Sequence, residues 1–229
     1  MSPPPTVPIR DVELVVMDMA GTTVHDGGEV PAAFRSALAA HGVGVTDDEL
    51  AGVRGASKRE VIRTLMTRHQ PDALPSLVEE VYDEFRAALA ERYAAGVRAV
   101  EGAEDVFDWL RRRDVRVALN TGFDRTITGL LLDALGWREG VVDAVVCGDE
   151  VRQGRPAPYL IFRAMEATGA ASVHRVMNVG DTELDLRAGW NAGVGCNVGV
   201  TSGAHPRERL ARAPHTHLIE SVASLPELW

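Results

Sequence analysis

The chain has 229 residues, of which 45% are hydrophobic and 25% charged, the proportions of an ordinary folded protein; disordered, collagenous and coiled-coil classes are excluded. Its 33 acidic and 24 basic side chains leave a formal charge of −9, which argues against nucleic acid or an anionic membrane as the main partner and requires a local cationic pocket for any anionic ligand. Cys147 and Cys196 form neither a disulfide framework nor a metal cluster by spacing, the start MSPPPTVPIR lacks a secretion-signal pattern, and no apolar run reaches a membrane span, so the expected setting is the reducing cytoplasm.

The proline-rich first eight residues read as a frayed terminus. Residues 12–18, VELVVMD, are a β-rich run ending in Asp18 and passing into AGTT, which predicts a buried strand and a tight polar turn. From about 26 to 98 strand patterns vanish. Pro31 in a first helical turn, the capping-box sequence Thr46-Asp47-Asp48-Glu49, a second at Ser57-Lys58-Arg59-Glu60, and an amphipathic run over 77–93 predict about four helices. Strand patterns return at 115–120, 144–148, 175–180 and 194–200, alternating with helical stretches at 104–113, 124–135, 158–168 and 184–192. Such alternation gives an α/β fold: a Rossmann-like parallel sheet with helices on both faces, drawn from residues 1–25 and 99–229. The segment 26–98 is expected to form a helical cap over the sheet's active edge, because ligands of these sheets bind beyond the carboxyl ends of the strands.

The chemistry-bearing residues fall at those ends. Asp18 closes the first strand beside Gly21, Thr22 and Thr23, a carboxylate next to a turn of amides and hydroxyls that suits attack on phosphorus. Asp181 and Asp185, four apart after another buried strand, share a helix face and with Asp18 make an oxygen-rich site appropriate for Mg²⁺. Thr121, followed by Gly122, can hydrogen-bond a phosphoryl oxygen, and Arg155 offers a fixed cation. Among 24 basic residues Lys58 is the single lysine, in a chain that otherwise writes every surface cation as arginine. Its retention points to a need for an amine.

The order Asp18, Thr121, Arg155, Asp181 and Asp185, with a helical insert after the first motif, resembles the haloacid dehalogenase superfamily over nearly the whole chain. The segments DMAGTTV, GRPAP and VGDTELDL are similar to those of the phosphonatase (phosphonoacetaldehyde hydrolase) family, which has Ala where phosphatases place an acid two residues after the nucleophile, here Ala20, and Arg at the position of Arg155. The resemblance implies a hydrolase that cleaves the C–P bond of a small phosphono-carbonyl compound. Asp18 would be phosphorylated, Lys58 would form a Schiff base, and Thr22, Thr23, Thr121, Gly122 and Arg155 would hold the phosphoryl oxygens. Mg²⁺ would sit on Asp18, the Ala20 carbonyl, Asp181 and Asp185, and the cap would allow a homodimer. Val61 and Phe123 depart from the family's histidine and aromatic hydroxyl, with His25 as a candidate replacement for the lost proton carrier; the alternative reading is a phosphatase of small phosphate esters.

Overall fold

The structure, a computed structural model, describes residues 8–229; the proline-rich start lies outside the described residues except for Pro8. The expected strands form as β1 (Leu14–Asp18), β2 (Arg116–Asn120), β3 (Ala144–Val146), β4 (Val176–Gly180) and β5 (Cys196–Val200). A sixth strand, β6 (His217–Ile219), was not expected: three half-buried residues carry too little periodicity to register. All pairings are parallel and the order is β3-β2-β1-β4-β5-β6. The chain therefore builds outward in both directions from β1, and the order reverses between β1 and β4. The crevice beyond their carboxyl ends is where such sheets bind ligands.

β1 is central and buried along its whole length, so its side chains feed both faces. Val15 and Met17 join a core that includes helices α5 (Ala103–Arg111) and α6 (Arg125–Leu135), while Leu14 and Val16 join one that includes α7 (Tyr159–Thr168) and α8 (Glu183–Ala192). Between β1 and α5 the chain leaves the sheet through Val24, which bridges antiparallel to Ala99 where it returns. The excursion holds four helices, α1 (Glu29–Ala40), α2 (Asp47–Gly52), α3 (Lys58–His69) and α4 (Pro75–Ala94); a short α9 (Arg207–Leu210) follows β5. Phe34 of α1 stacks on Phe85 of α4 at 4.4 Å between ring centroids, and Leu38, Ile62, Leu65 and Leu89 are fully buried around them. Burying side chains of this size contributes about 1.5–3 kcal/mol each, enough to order the insert as a bundle. The Thr46–Glu49 capping box forms in both directions. The second does not: Ser57 precedes α3 without a side-chain cap, its Cβ region packed against Gly154. No helix among the described residues is long and apolar enough to cross a membrane.

Candidate active site

Arg155 organises the carboxylates. Its Nε donates to Asp185 Oδ1 at 2.8 Å and its Nη1 lies 2.8 Å from Asp18 Oδ1, with all three side chains at least nine-tenths buried. Nη2 donates to the Asn120 side chain and carbonyl, and Nη1 also to the Gly55 carbonyl of the insert at 3.4 Å. A guanidinium so fully used sets the orientation of Asp18 without being free to move. Asp185 is fixed from the other side, since Thr182 and Asp185 form a reciprocal capping box at the start of α8. Both of its oxygens are thus engaged by protein. Asp181 points to the crevice and receives the Ala204 N–H at 2.6 Å and the Thr22 hydroxyl at 3.4 Å. Gly203 lets that loop approach, because a Cβ there would overlap the Asp181 carboxylate.

The insert closes the site through residues 53–57. A Cβ at Gly122 would lie 2.7 Å from the Ala56 carbonyl, and Gly55, at φ +85°, abuts Thr182 where any Cβ would overlap the hydroxyl. Lys58 follows at the first position of α3. Its Nζ donates to Ala56 O at 3.2 Å and stands 4.9 Å from the centroid of the Phe123 ring. The resulting pocket is lined by Asp18, Ala20, Lys58, Thr121, Arg155 and Asp181, with Gly122 and Phe123 beside them and an apolar wall from α1 and α2.

Too many buried negative charges share this space. Burial, opposed by Arg155 and reinforced by Asp185, lifts Asp18 from 3.8 to about 6, and burial with Asp18 and Asp185 nearby pushes Asp181 well above its ordinary value. Lys58 is displaced downward, first by burial and then by Arg155, with Asp18, Asp26 and Asp185 pulling the other way. An amine in such a place carries more of its nucleophilic free-base form than an exposed lysine does.

Three expected contributions take a different form. The N–H groups of Gly21, Thr22 and Thr23 are used within the turn, donating to Val24 O and Met19 O, and the Thr23 hydroxyl donates to Asp18 O at 2.9 Å. Thr22 and Thr23 are fully buried behind the pocket and do not line it. Thr121 does line it, with its N–H bound to Val146 O and its oxygen accepting from Phe123 N at 3.1 Å, so its hydroxyl hydrogen is the part left to donate. His25 is exposed and faces an adjoining cavity instead, while Val61 is packed in the core of the insert. The sequence reading missed the Gly203–Ala204 loop and Asp26, the next residue after His25, which lines the pocket. Only the turn-forming pair Ser202-Gly203 signalled the first, and nothing local signalled the second.

Residues 12–193 match the model of the haloacid dehalogenase-like hydrolase family, and the chain belongs to it. It is 31% identical over 209 residues to phosphonoacetaldehyde hydrolase of Paraburkholderia xenovorans, covering 84% of this chain and 76% of the relative, and 30% identical over 207 residues to that of Bacillus thuringiensis, covering 84% and 77%. Within the family the chain is therefore phosphonatase-like. A phosphonoacetaldehyde hydrolase-like protein from Oleispira antarctica superimposes with a TM-score of 0.85 at 24% identity over 100% of this chain and 94% of the other, which shows the shared fold. A hydrolase from Pseudomonas syringae gives the same score at 21% identity, over 94% and 96%.

Proposed function

We propose that the protein is a Mg²⁺-dependent hydrolase of the C–P bond in phosphonoacetaldehyde or a similar small phosphono-carbonyl compound. The observation that carries the reading is the chain's single lysine buried in the same pocket as Asp18, its ammonium form disfavoured by desolvation. Direct displacement at phosphorus would expel a carbanion. An imine on Lys58 accepts that electron pair, so the carbon leaves as an enamine, and a guanidinium cannot take this role.

Asp18 is the nucleophile, held in line by Arg155, and becomes phosphorylated before water releases phosphate. Thr121 and Gly122 hold the phosphoryl oxygens from the end of β2. The donor set suits Mg²⁺: Asp18, Asp181 and the Ala20 carbonyl would supply oxygen ligands, and the raised carboxylates mark a site short of positive charge. Bound there, the ion would offset repulsion between the carboxylates and the phosphonate dianion. Asp185 keeps Arg155 and α8 in place from behind. In this reading residues 1–25 and 99–229 are the catalytic core, residues 26–98 the cap that excludes water, and the cytoplasm the working compartment.

A specific observation favours a second reading, hydrolysis of a small phosphate ester: Val61 and Phe123 bring no proton donor to the pocket where the phosphonatase family has two. Against it stands Ala20, since an alkoxide leaving group needs an acid that this position does not supply. The deciding experiment measures phosphate and acetaldehyde released from phosphonoacetaldehyde with Mg²⁺, against a panel of sugar phosphates and phosphoglycolate. Phosphonate cleavage well above ester hydrolysis is the expected result; ester hydrolysis alone would replace the first reading with the second.

A further inference from the structure

Asp26 lies in the segment that leads from β1 into the insert, half-buried, and lines the catalytic pocket together with Asp18, Lys58 and Ala20. One of its oxygens, Oδ1, accepts the Gly28 N–H at 3.1 Å; among the described residues the other has no hydrogen-bond or ion-pair partner. Every other acid in the pocket is committed: Asp18 to Arg155, and Asp181 to Ala204 N–H and Thr22. Asp26 also borders the adjoining cavity that holds His25, Arg98 and Ser202, so it lines both the pocket of the buried amine and this second space. It contributes to the negative charge that Lys58 feels.

The proposed chemistry has unmet proton demands. When Lys58 adds to the carbonyl, its lone pair forms the C–N bond and the C=O pair moves to oxygen; the nitrogen must then lose protons, and the oxygen must gain two before it departs as water. From the ammonium and the aldehyde to the protonated imine and water, no net proton is consumed, yet protons must cross from nitrogen to oxygen. After the C–P pair has moved into the enamine, its carbon takes up one proton. Water then attacks the imine carbon, returning the aldehyde and the lysine ammonium. Hydrolysis of phosphorylated Asp18 releases the proton that balances the cycle. Ala20, Val61 and Phe123 can carry none of these protons, and His25 does not reach the pocket.

We infer that Asp26 is the proton-transfer residue of the site, moving a proton from the Lys58 nitrogen to the departing oxygen and later delivering one from the adjoining cavity to the enamine carbon. The inference rests on the C–P reading and deepens it. A carboxylate at the hinge takes over what a histidine on α3 would otherwise do, so the chemistry persists although α3 presents Val61.

The test compares wild type, Asp26→Asn and Asp26→Ala with phosphonoacetaldehyde and saturating Mg²⁺. Asparagine keeps an acceptor for the Gly28 N–H, so the turn is retained. Asp26→Asn should lose about 10²-fold or more in kcat, with KM changed by less than about threefold, the range expected when a general acid–base is removed. Formate should restore Asp26→Ala about tenfold, and should do nothing for Lys58→Arg. If wild type cleaves the phosphonate while Asp26→Asn keeps kcat within about threefold and formate leaves Asp26→Ala unchanged, the proposal fails and the C–P reading stands. If wild type hydrolyses only esters, both fall together.

Discussion

Withdrawing the divalent cation should make folding stability depend on pH through Asp18. Burial, against the pull of Arg155 and with Asp185 behind, raises this carboxyl from 3.8 to about 6. Between those values the folded state holds a proton that the unfolded chain has released, so the contribution is full below about pH 4 and is lost as pH rises through about 6. The whole difference corresponds to roughly 3 kcal/mol, of which about 1.4 kcal/mol falls between pH 5 and 7.5. Asp181 moves in the same direction for the same cause. In a protein of this size 1 kcal/mol shifts Tm by about 2–4 °C, so from pH 5 to 7.5 in chelator the wild type should lose roughly 3–6 °C relative to Asp18→Asn. The variant is the needed reference, because His205 and His217, lowered mainly by burial, oppose the trend by destabilising as pH falls. Differential scanning calorimetry in chelator, then with Mg²⁺, reads both slopes; Mg²⁺ should raise the wild-type Tm most at pH 7.5. Parallel pH slopes for wild type and Asp18→Asn in chelator would refute the reasoning.

Gly203→Ala should drive a Cβ into the Asp181 carboxylate and weaken Mg²⁺ about 10–100-fold, read by titrating Mg²⁺ against activity and against Tm. Thr182→Ala removes the cap of α8 and one anchor of Asp185, and should cost about 1 kcal/mol in denaturant unfolding together with a loss in kcat. Ala20→Asp should raise ester hydrolysis about 10²-fold by supplying a leaving-group acid while lowering phosphonate cleavage, measured as the ratio of the two kcat/KM values.

The parallel sheet was legible because its four five-residue strands are mostly apolar, β1 and β2 closing on Asp18 and Asn120 and β4 and β5 followed at once by Asp181 and Thr201, and burial on both faces writes that pattern into sequence. The insert was legible for the opposite reason: helix caps and 3.6-residue spacing replace it over one unbroken stretch. Asp18, Thr121 and Asp181 stand at strand ends, with Asp185 one helical turn beyond in α8, so a sequence motif and a position in space coincide. What stayed hidden depends on contacts between distant segments. Asp26 shares a pocket with Lys58 only because the insert folds back over the end of β1, and Ala204 reaches Asp181 only because Gly203 leaves room. The Ser57–Glu60 pattern placed the start of α3 at Lys58 correctly, but its side-chain cap does not form, and residues 53–57 are held instead by Gly154, Gly122 and Thr182 packed against them. Thr23, expected at the phosphoryl oxygens, has its hydroxyl turned back onto the strand it follows.

The central claim is that Lys58 becomes covalently joined to the substrate carbon. Borohydride added during turnover of phosphonoacetaldehyde with Mg²⁺, followed by peptide mass analysis, tests it directly. The predicted result is substrate-dependent inactivation with an N-ethyl or N-phosphonoethyl adduct confined to Lys58, while Lys58→Arg keeps its fold and releases no phosphate from the phosphonate. Phosphate release from phosphonoacetaldehyde at an undiminished rate in Lys58→Arg, with no adduct in the wild type, would contradict it.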